Sequence, residues 1–381
     1  MTDLFECARL SETELRDTVT SAEGDCGAIT DVTVTPFPYR FGSLPTAGLW
    51  LVDVEHGTRN RTSFFVKLLR HPRLSPDIRQ VPEEHRAALM AYLPWHFELD
   101  MYESGIGDVL PDGMRTPTLH HVRRFDDDHI ALWWEYISTS MKPWGTADFS
   151  QSAYLLGRLA ARRRAGAQCN SRLPAVCLRT DRGGALRYYV ETRVMIGSVS
   201  AIADSAVWDS PLLAGAAHDP GLRGDMLALA ERVPDLLDQL DALPQTFAHG
   251  DASPENLLIP DGNPAERVVI DWGFGTPLPI GFDLGQLLVG LAHSGRHDPG
   301  SIPRLVPLIE SAYCVGLGAE GYNHDKLDVH TGFIGGMAVR SALCAIPFEL
   351  LDAPATPELL ALMTDRFRLS RVMIDLAASL T

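Results

Sequence analysis

Lysine is nearly missing from this chain: of 33 basic residues only Lys67, Lys142 and Lys326 are lysines, which makes any lysine in a suggestive place informative. Basic charge as a whole is short, with 33 Lys and Arg against 49 Asp and Glu and a formal net charge of −16. A duplex nucleic-acid binder needs a basic face to neutralise phosphates, so that class is excluded. The six cysteines (Cys7, Cys26, Cys169, Cys177, Cys314, Cys344) form no C-x-x-C pair and no finger spacing. They read as reduced, buried thiols rather than a metal module or a disulfide framework. The opening residues lack a basic and then apolar leader, and the longest apolar stretches are cut by Asp283 and Gln286 or by Arg340. A cytoplasmic, soluble protein is expected, with no membrane partner and a monomeric or homodimeric state. Internal repeats and low-complexity tracts are also absent. What remains, 381 residues at 45% hydrophobic and 22% charged, suits a globular chain of two domains.

Along the chain, Ser11-Glu12-Thr13-Glu14 has capping-box spacing and predicts a short helix ending near Gly24. The runs Ile29–Val34, Leu49–Val54 and Thr62–Leu69 predict strands, and a helical pattern covers Ala87–Ser104. His121–Phe125 and His129–Ile137 read as a hairpin with Asp126, Asp127 and Asp128 as its solvated turn. After Ile137 helical periodicity dominates, over 148–165, 181–207, 222–243, 280–295, 300–318, 325–347 and 356–380, interrupted by short strands in 246–274. Arg162-Arg163-Arg164 is expected to be a solvated face.

The block that carries chemistry is Phe247-Ala248-His249-Gly250-Asp251-Ala252-Ser253-Pro254-Glu255-Asn256, followed by the strand Arg267-Val268-Val269-Ile270-Asp271-Trp272-Gly273. Phosphoryl transfer needs one carboxylate to accept a hydroxyl proton, and an amide oxygen with a second carboxylate to hold magnesium. A strand, a loop and a second strand ending in Asp bring such groups together.

These residues resemble the aminoglycoside phosphotransferase family, a protein-kinase-like group that includes choline kinases and other small-molecule kinases. The family's H-G-D-x-x-x-x-N matches His249 to Asn256, its I-D-[FW]-G matches Ile270 to Gly273, and its P-x-x-x-D-L is similar to Pro279–Leu284. The resemblance implies an α+β, two-lobed protein-kinase-like fold. A β-rich N-terminal nucleotide-binding lobe would span 1–137, and a mainly helical catalytic and substrate-binding lobe 138–381. It implies Asp251 as catalytic base, Asn256 and Asp271 as metal ligands, and His249 and Asp283 as structural supports of the loop. Asp283 has an alternative reading as a helix N-terminal carboxylate.

In the N-terminal part the resemblance implies a strand lysine on the nucleotide phosphates, supplied by Lys67, and a helix partner, Glu98, with Glu103 as a rival. An edge-strand charge is the alternative for Lys67. The segment Ala131–Ile137 falls where the nucleobase would bind, through the Trp134 carbonyl and the Tyr136 amide; both tryptophans there also suit a core. The phosphate-covering loop, 40–48 with Gly42 and Ser43, departs from the family pattern, and the 70–86 loop is long.

The expected function is an ATP- and magnesium-dependent phosphotransferase acting on a hydroxyl of a small molecule, with GTP as the alternative nucleotide. An antibiotic acceptor, aminoglycoside-type or other, is the first reading. A metabolic kinase of choline, amino-sugar or homoserine type is the second, and a catalytically idle kinase-like module the third. Glu349, Asp352, Glu358 and Asp365 are candidate carboxylates for a cationic acceptor, with ordinary exposed helix charges as the plainer reading. A protein kinase is disfavoured: there is no H-R-D, and too few residues separate Gly275 from Asp283 for an activation loop.

Overall fold

The computed structural model describes residues 4–38, 43–58, 60–92, 95–139, 142–164, 184–216 and 219–380. The chain divides into two compact units that are not contiguous in sequence. One comprises Met1–Gly107, Arg115–Ser140 and Leu258–Gly273; the other comprises Asp108–Met114, Met141–Leu257 and Phe274–Thr381.

The first unit begins with α1 (Glu12–Glu23), which starts at Ser11 with the reciprocal Ser11/Glu14 capping box and stops at Gly24. The strands follow: β1 (Ile29–Pro36), β2 (Thr46–His56) and β3 (Asn60–Arg70), then α2 (Glu83–Tyr92) and α3 (Phe97–Glu103). The expected helix over 87–104 is therefore two helices, and the sequence between them holds Pro94, which has no N–H to donate. After the two-residue strand β4 (Met114–Arg115) come β5 (Leu119–Asp126) and β6 (His129–Glu135). Strands β1, β2, β3, β6 and β5, in that order, form one antiparallel sheet. The Asp126–Asp128 turn joins the predicted hairpin; Asp126 pairs with His129 at 3.0 Å and Asp128 with Arg73 at 2.5 Å.

Strand alternation sends Val52, Val54, Phe64, Val66, Leu68 and Trp133 to one face, against Leu15 and Val19 of α1. Leu69, Ile130, Leu132 and Trp134 line the other, against Leu99 of α3. Each fully buried side chain of this kind contributes about 1.5–3 kcal/mol, enough for the sheet to fix the positions of polar groups riding on it. The strand β9 (Arg267–Val269) and Asp271 belong to this unit.

The second unit is mainly helical. Its helices are α4 (Thr146–Arg162), the short α5 (Ala185–Tyr189), a π-helical stretch Val190–Val199, α6 (Ser200–Ala203), α7 (Pro211–Ala216), α8 (Leu222–Ala242), α9 (Asp283–His293), α10 (Ile302–Ala319), α11 (Lys326–Arg340) and α12 (Pro357–Ala377). Strands β7 (Gln245–Ala248) and β10 (Thr276–Pro279) pair antiparallel, and β8 (Leu257–Leu258) follows the motif loop. Helices α4 and α10 cross closely because Gly316 has no Cβ; one placed there would lie 2.1 Å from the Tyr154 carbonyl oxygen.

Two expectations are corrected here, the first in part: of Arg162-Arg163-Arg164 only Arg164 is exposed. Arg163 is fully buried with its guanidinium 4.0 Å from the centre of the Phe247 ring, and Arg162 pairs with Glu320 at 3.0 Å. A planar cation with an apolar stem can stack on an aromatic face, which a charge count along the sequence does not reveal. The stretch Lys326–Leu350 is long and apolar enough to cross a membrane despite Arg340, but 78% of an 18-residue apolar window within it is buried inside the fold, where it serves as core.

Candidate active site

In the first unit, Lys67 sits in β3, the middle strand of the sheet, opposite Leu49 of β2 and Leu132 of β6. A central strand has no edge to protect, so the edge-charge alternative does not apply. Its Nζ lies 2.6 Å from the Glu98 carboxylate of α3 and 3.5 Å from that of Asp271. Burial pulls the lysine toward neutrality, but the Asp271 and Glu98 carboxylates outweigh it and raise the lysine pKa. The rival Glu103 lies instead 3.4 Å from Arg124.

Asp271 follows β9 with φ of 57°, the one positive-φ residue other than glycine among the described residues. That conformation costs about 1–3 kcal/mol. It ends the strand abruptly and leaves the carboxylate 48% exposed, in contrast to Glu98 at 10%. Trp134 is buried in β6 between Phe65 and Leu119, with its ring 4.2 Å from that of Tyr102; Tyr136 lies just beyond the strand and is exposed. Ser43 is exposed and its carbonyl accepts from Thr46 N at 3.2 Å, while Gly42 lies outside the described residues.

In the second unit, β7 delivers His249-Gly250-Asp251 into a tight loop. Gly250 has φ of 80°, and a Cβ there would lie 2.2 Å from the Phe274 carbonyl oxygen, so only glycine fits. Asp283, the first residue of α9, accepts from the backbone N–H of His249 at 3.0 Å and of Gly250 at 2.8 Å. It is thus a clamp on the loop as well as a helix-start carboxylate. Burial raises its pKa against the lowering by His249 and the two N–H groups. His249 is fully buried and its Nδ1 accepts from Asp251 N at 3.2 Å.

Asn256 Nδ2 donates to the Asp251 carbonyl at 2.8 Å and to Asp251 Oδ2 at 3.2 Å. Both amide protons are directed at Asp251, so the Asn256 oxygen remains as an acceptor. Amide and carboxylate oxygens such as those of Asn256 and Asp271 are hard donors, suited to magnesium or calcium and unsuited to zinc. No group of three or more His, Cys, Asp or Glu that could hold a metal ion occurs among the described residues.

Sequence reasoning passed over one residue here. Arg340, the last residue of α11, donates from Nη1 to the Gly250 carbonyl and from Nη2 to Asp251 Oδ1 at 2.9 Å. Its guanidinium lies 5.7 and 5.3 Å from the ring centres of Tyr189 and Phe274, which pack edge to face with each other. The available signal was a lone arginine closing an apolar helix, which the sequence alone presents only as an interruption.

Residues 181–321 match the family model of the phosphotransferase enzyme family APH, a stretch of less than half the chain that contains the whole 246–285 block. The resemblance read from that block is borne out by this match. Similar solved structures include an amicoumacin kinase in complex with AMP-PNP, calcium and its ligand (11% identity, 97% of this chain and 94% of that one, TM-score 0.49). An aminoglycoside phosphotransferase from Alicyclobacillus acidocaldarius (14%, 92% and 91%, TM-score 0.47) and a choline kinase from Cryptosporidium parvum (12%, 91% and 88%, TM-score 0.44) are also similar. No curated protein matches the chain.

Proposed function

We propose that this chain moves the terminal phosphate of ATP to a hydroxyl of a small molecule, with an antibiotic acceptor as the first reading. The observation that carries it is the state of Asp251: a carboxylate held at both oxygens, by Arg340 and Asn256, yet 26% exposed. Such a group is oriented and still reachable by an acceptor. In the step, the acceptor O–H gives its proton to Asp251 as its oxygen bonds to the γ-phosphorus. The bond from that phosphorus to the β–γ bridging oxygen breaks, and ADP leaves.

Lys67, kept cationic by Glu98 and Asp271, is assigned to the ATP phosphates, and the backbone at Trp134 and Tyr136 to the base. Gly42 and Ser43 are assigned to the loop over the phosphates. Asn256, through its amide oxygen, and Asp271, through its exposed carboxylate, are assigned to magnesium. The bound ion supplies charge neutralisation on the phosphate oxygens. Nucleotide handling is assigned to 1–137 together with 258–273, and acceptor handling to the rest. Positioning and electrostatics supply most of the rate.

A second reading, a metabolic small-molecule kinase, rests on the same loop, because the Asp251–Arg340 pair carries no net charge and so favours neither a cationic nor a neutral acceptor. Of the four carboxylates that would welcome a polycation, Asp365 lies 3.5 Å from Arg368 and Glu358 sits in the first turn of α12. The test is ADP release with Mg-ATP across aminoglycosides, nucleosides, macrolides, choline, amino sugars and homoserine, with Asp251→Asn as blank. Acceptor-dependent release that the blank lacks supports the kinase and names its acceptor. Equal release by the blank sinks the assignment of Asp251.

A further inference from the structure

We infer that Arg340 is the positioning residue of Asp251, a role that rests on the reading of Asp251 as the base. One guanidinium grips two consecutive residues of the motif loop, the Gly250 carbonyl through Nη1 and the Asp251 carboxylate through Nη2. That pairing uses the planar, forked geometry of arginine; the point charge of lysine can satisfy one of the two acceptors well but not both. The fork itself is immobilised. The Arg340 side chain is only 10% exposed, and its guanidinium rests against the mutually packed rings of Tyr189 and Phe274.

The loop needs such a grip. Gly250 is at positive φ, where the backbone has most freedom to leave its native angle, and Asp283 restrains only the N–H side of Gly250 and His249. Arg340 restrains the carbonyl side and the next side chain. Asn256 holds Oδ2, so with Arg340 on Oδ1 the plane of the carboxylate is set. Removing the guanidinium frees Oδ1 and the Gly250 carbonyl together, and the base drifts relative to the hydroxyl. Arg340 touches the loop carbonyl and the Asp251 carboxylate, so it acts through Asp251.

The test uses the full chain with Arg340→Gln and Arg340→Lys, each also combined with Asp251→Asn. Hydrogen exchange of the amides in 250–256 is followed beside that of α8 and α12, with ADP release from Mg-ATP measured with water as acceptor and with the panel above. Arg340→Gln is expected to speed exchange at 250–256 tenfold or more while α8 and α12 stay protected. ADP release should fall about 10²-fold, the cost of misplacing a reacting group by about 1 Å, with Mg-ATP affinity unchanged and partial rescue by Arg340→Lys. On the Asp251→Asn background, Arg340→Gln should remove little more.

Unchanged exchange at 250–256 overturns the inference. So does a loss of activity of the same size on both backgrounds, or a general loss of protection in both Arg340 variants, which would make Arg340 a residue of the fold alone. Full activity in Asp251→Asn overturns the base reading instead, a result distinguishable because loop exchange is measured without turnover.

Discussion

Arg340 and Asp251 stand 89 positions apart in the chain and meet at 2.9 Å, the end of a core helix against the acid of the motif loop. With Arg340 10% and Asp251 26% exposed, loss of either partner costs less than the about 3–5 kcal/mol of a fully buried pair, but the two residues remain coupled in stability as well as in the proposed chemistry.

Asp251→Asn and Asp251→Ala should therefore part company. The asparagine oxygen can still accept from Arg340 while its amide faces that of Asn256, so Asp251→Asn is expected to lose about 10²–10⁴-fold in turnover while its urea midpoint falls less than that of Asp251→Ala. Asp251→Ala should lose turnover and also about 2–3 kcal/mol, because Arg340 is left unpaired. Equal midpoints for the two variants would contradict the coupling.

Lys67→Met tests the second cluster. It leaves Glu98 buried without its cation, with an expected cost of about 3 kcal/mol and weaker Mg-ATP binding. The pKa of Lys67 is raised, so its share of stability is fully present below the pKa of a free lysine and is lost only as pH rises through the still higher folded value. Against Lys67→Met/Glu98→Gln, which strands no buried carboxylate, the stability advantage of the parent should be flat between pH 6 and 9, and a slope there would mean that Lys67 titrates in that range.

His293 makes the opposite prediction. Burial first, then Arg366 and Arg340, push its pKa down to about 3, and its Nε2 is buried without a hydrogen-bond partner. The folded protein holds the ring neutral while the unfolded chain protonates it near pH 6.5. Its share of stability is thus complete above about pH 6.5 and is lost on acidification, at up to about 1.4 kcal/mol per pH unit. His293→Gln should show a shallower fall in Tm than the parent between pH 6.5 and 4.5. Parallel curves would assign the acid sensitivity elsewhere.

Gly250→Ala is expected to cost more than about 2 kcal/mol, combining the left-handed backbone penalty with the Phe274 clash, and to abolish turnover. A calorimetric scan with wild-type Tm would show that the loop can adopt another path.

Much of the fold was legible because its causes are local. Ser11, Glu14 and Gly24 bound α1 through their own side chains and backbone, and the apolar runs 49–54 and 62–69 pair as neighbouring strands buried on both faces. The motif loop was legible for the same reason, since His249, Asp251 and Asn256 bond to one another within a few positions.

Contacts made at long range were not legible, because no nearby spacing encodes them. Glu98 rather than Glu103 reaches Lys67 because α3 lays Leu99 on the sheet, which fixes which side of the helix faces β3. Arg163 is buried because Phe247 lies beneath it, and Arg340 reaches Asp251 because α11 packs deep in the second unit and ends at the loop. Sequence by itself determined the elements, the chemistry of the loop and the family resemblance, all short-range properties of neighbouring residues. Tertiary structure alone decided which distant charges pair, because burial makes an unpaired charge costly and only packing brings its partner within reach.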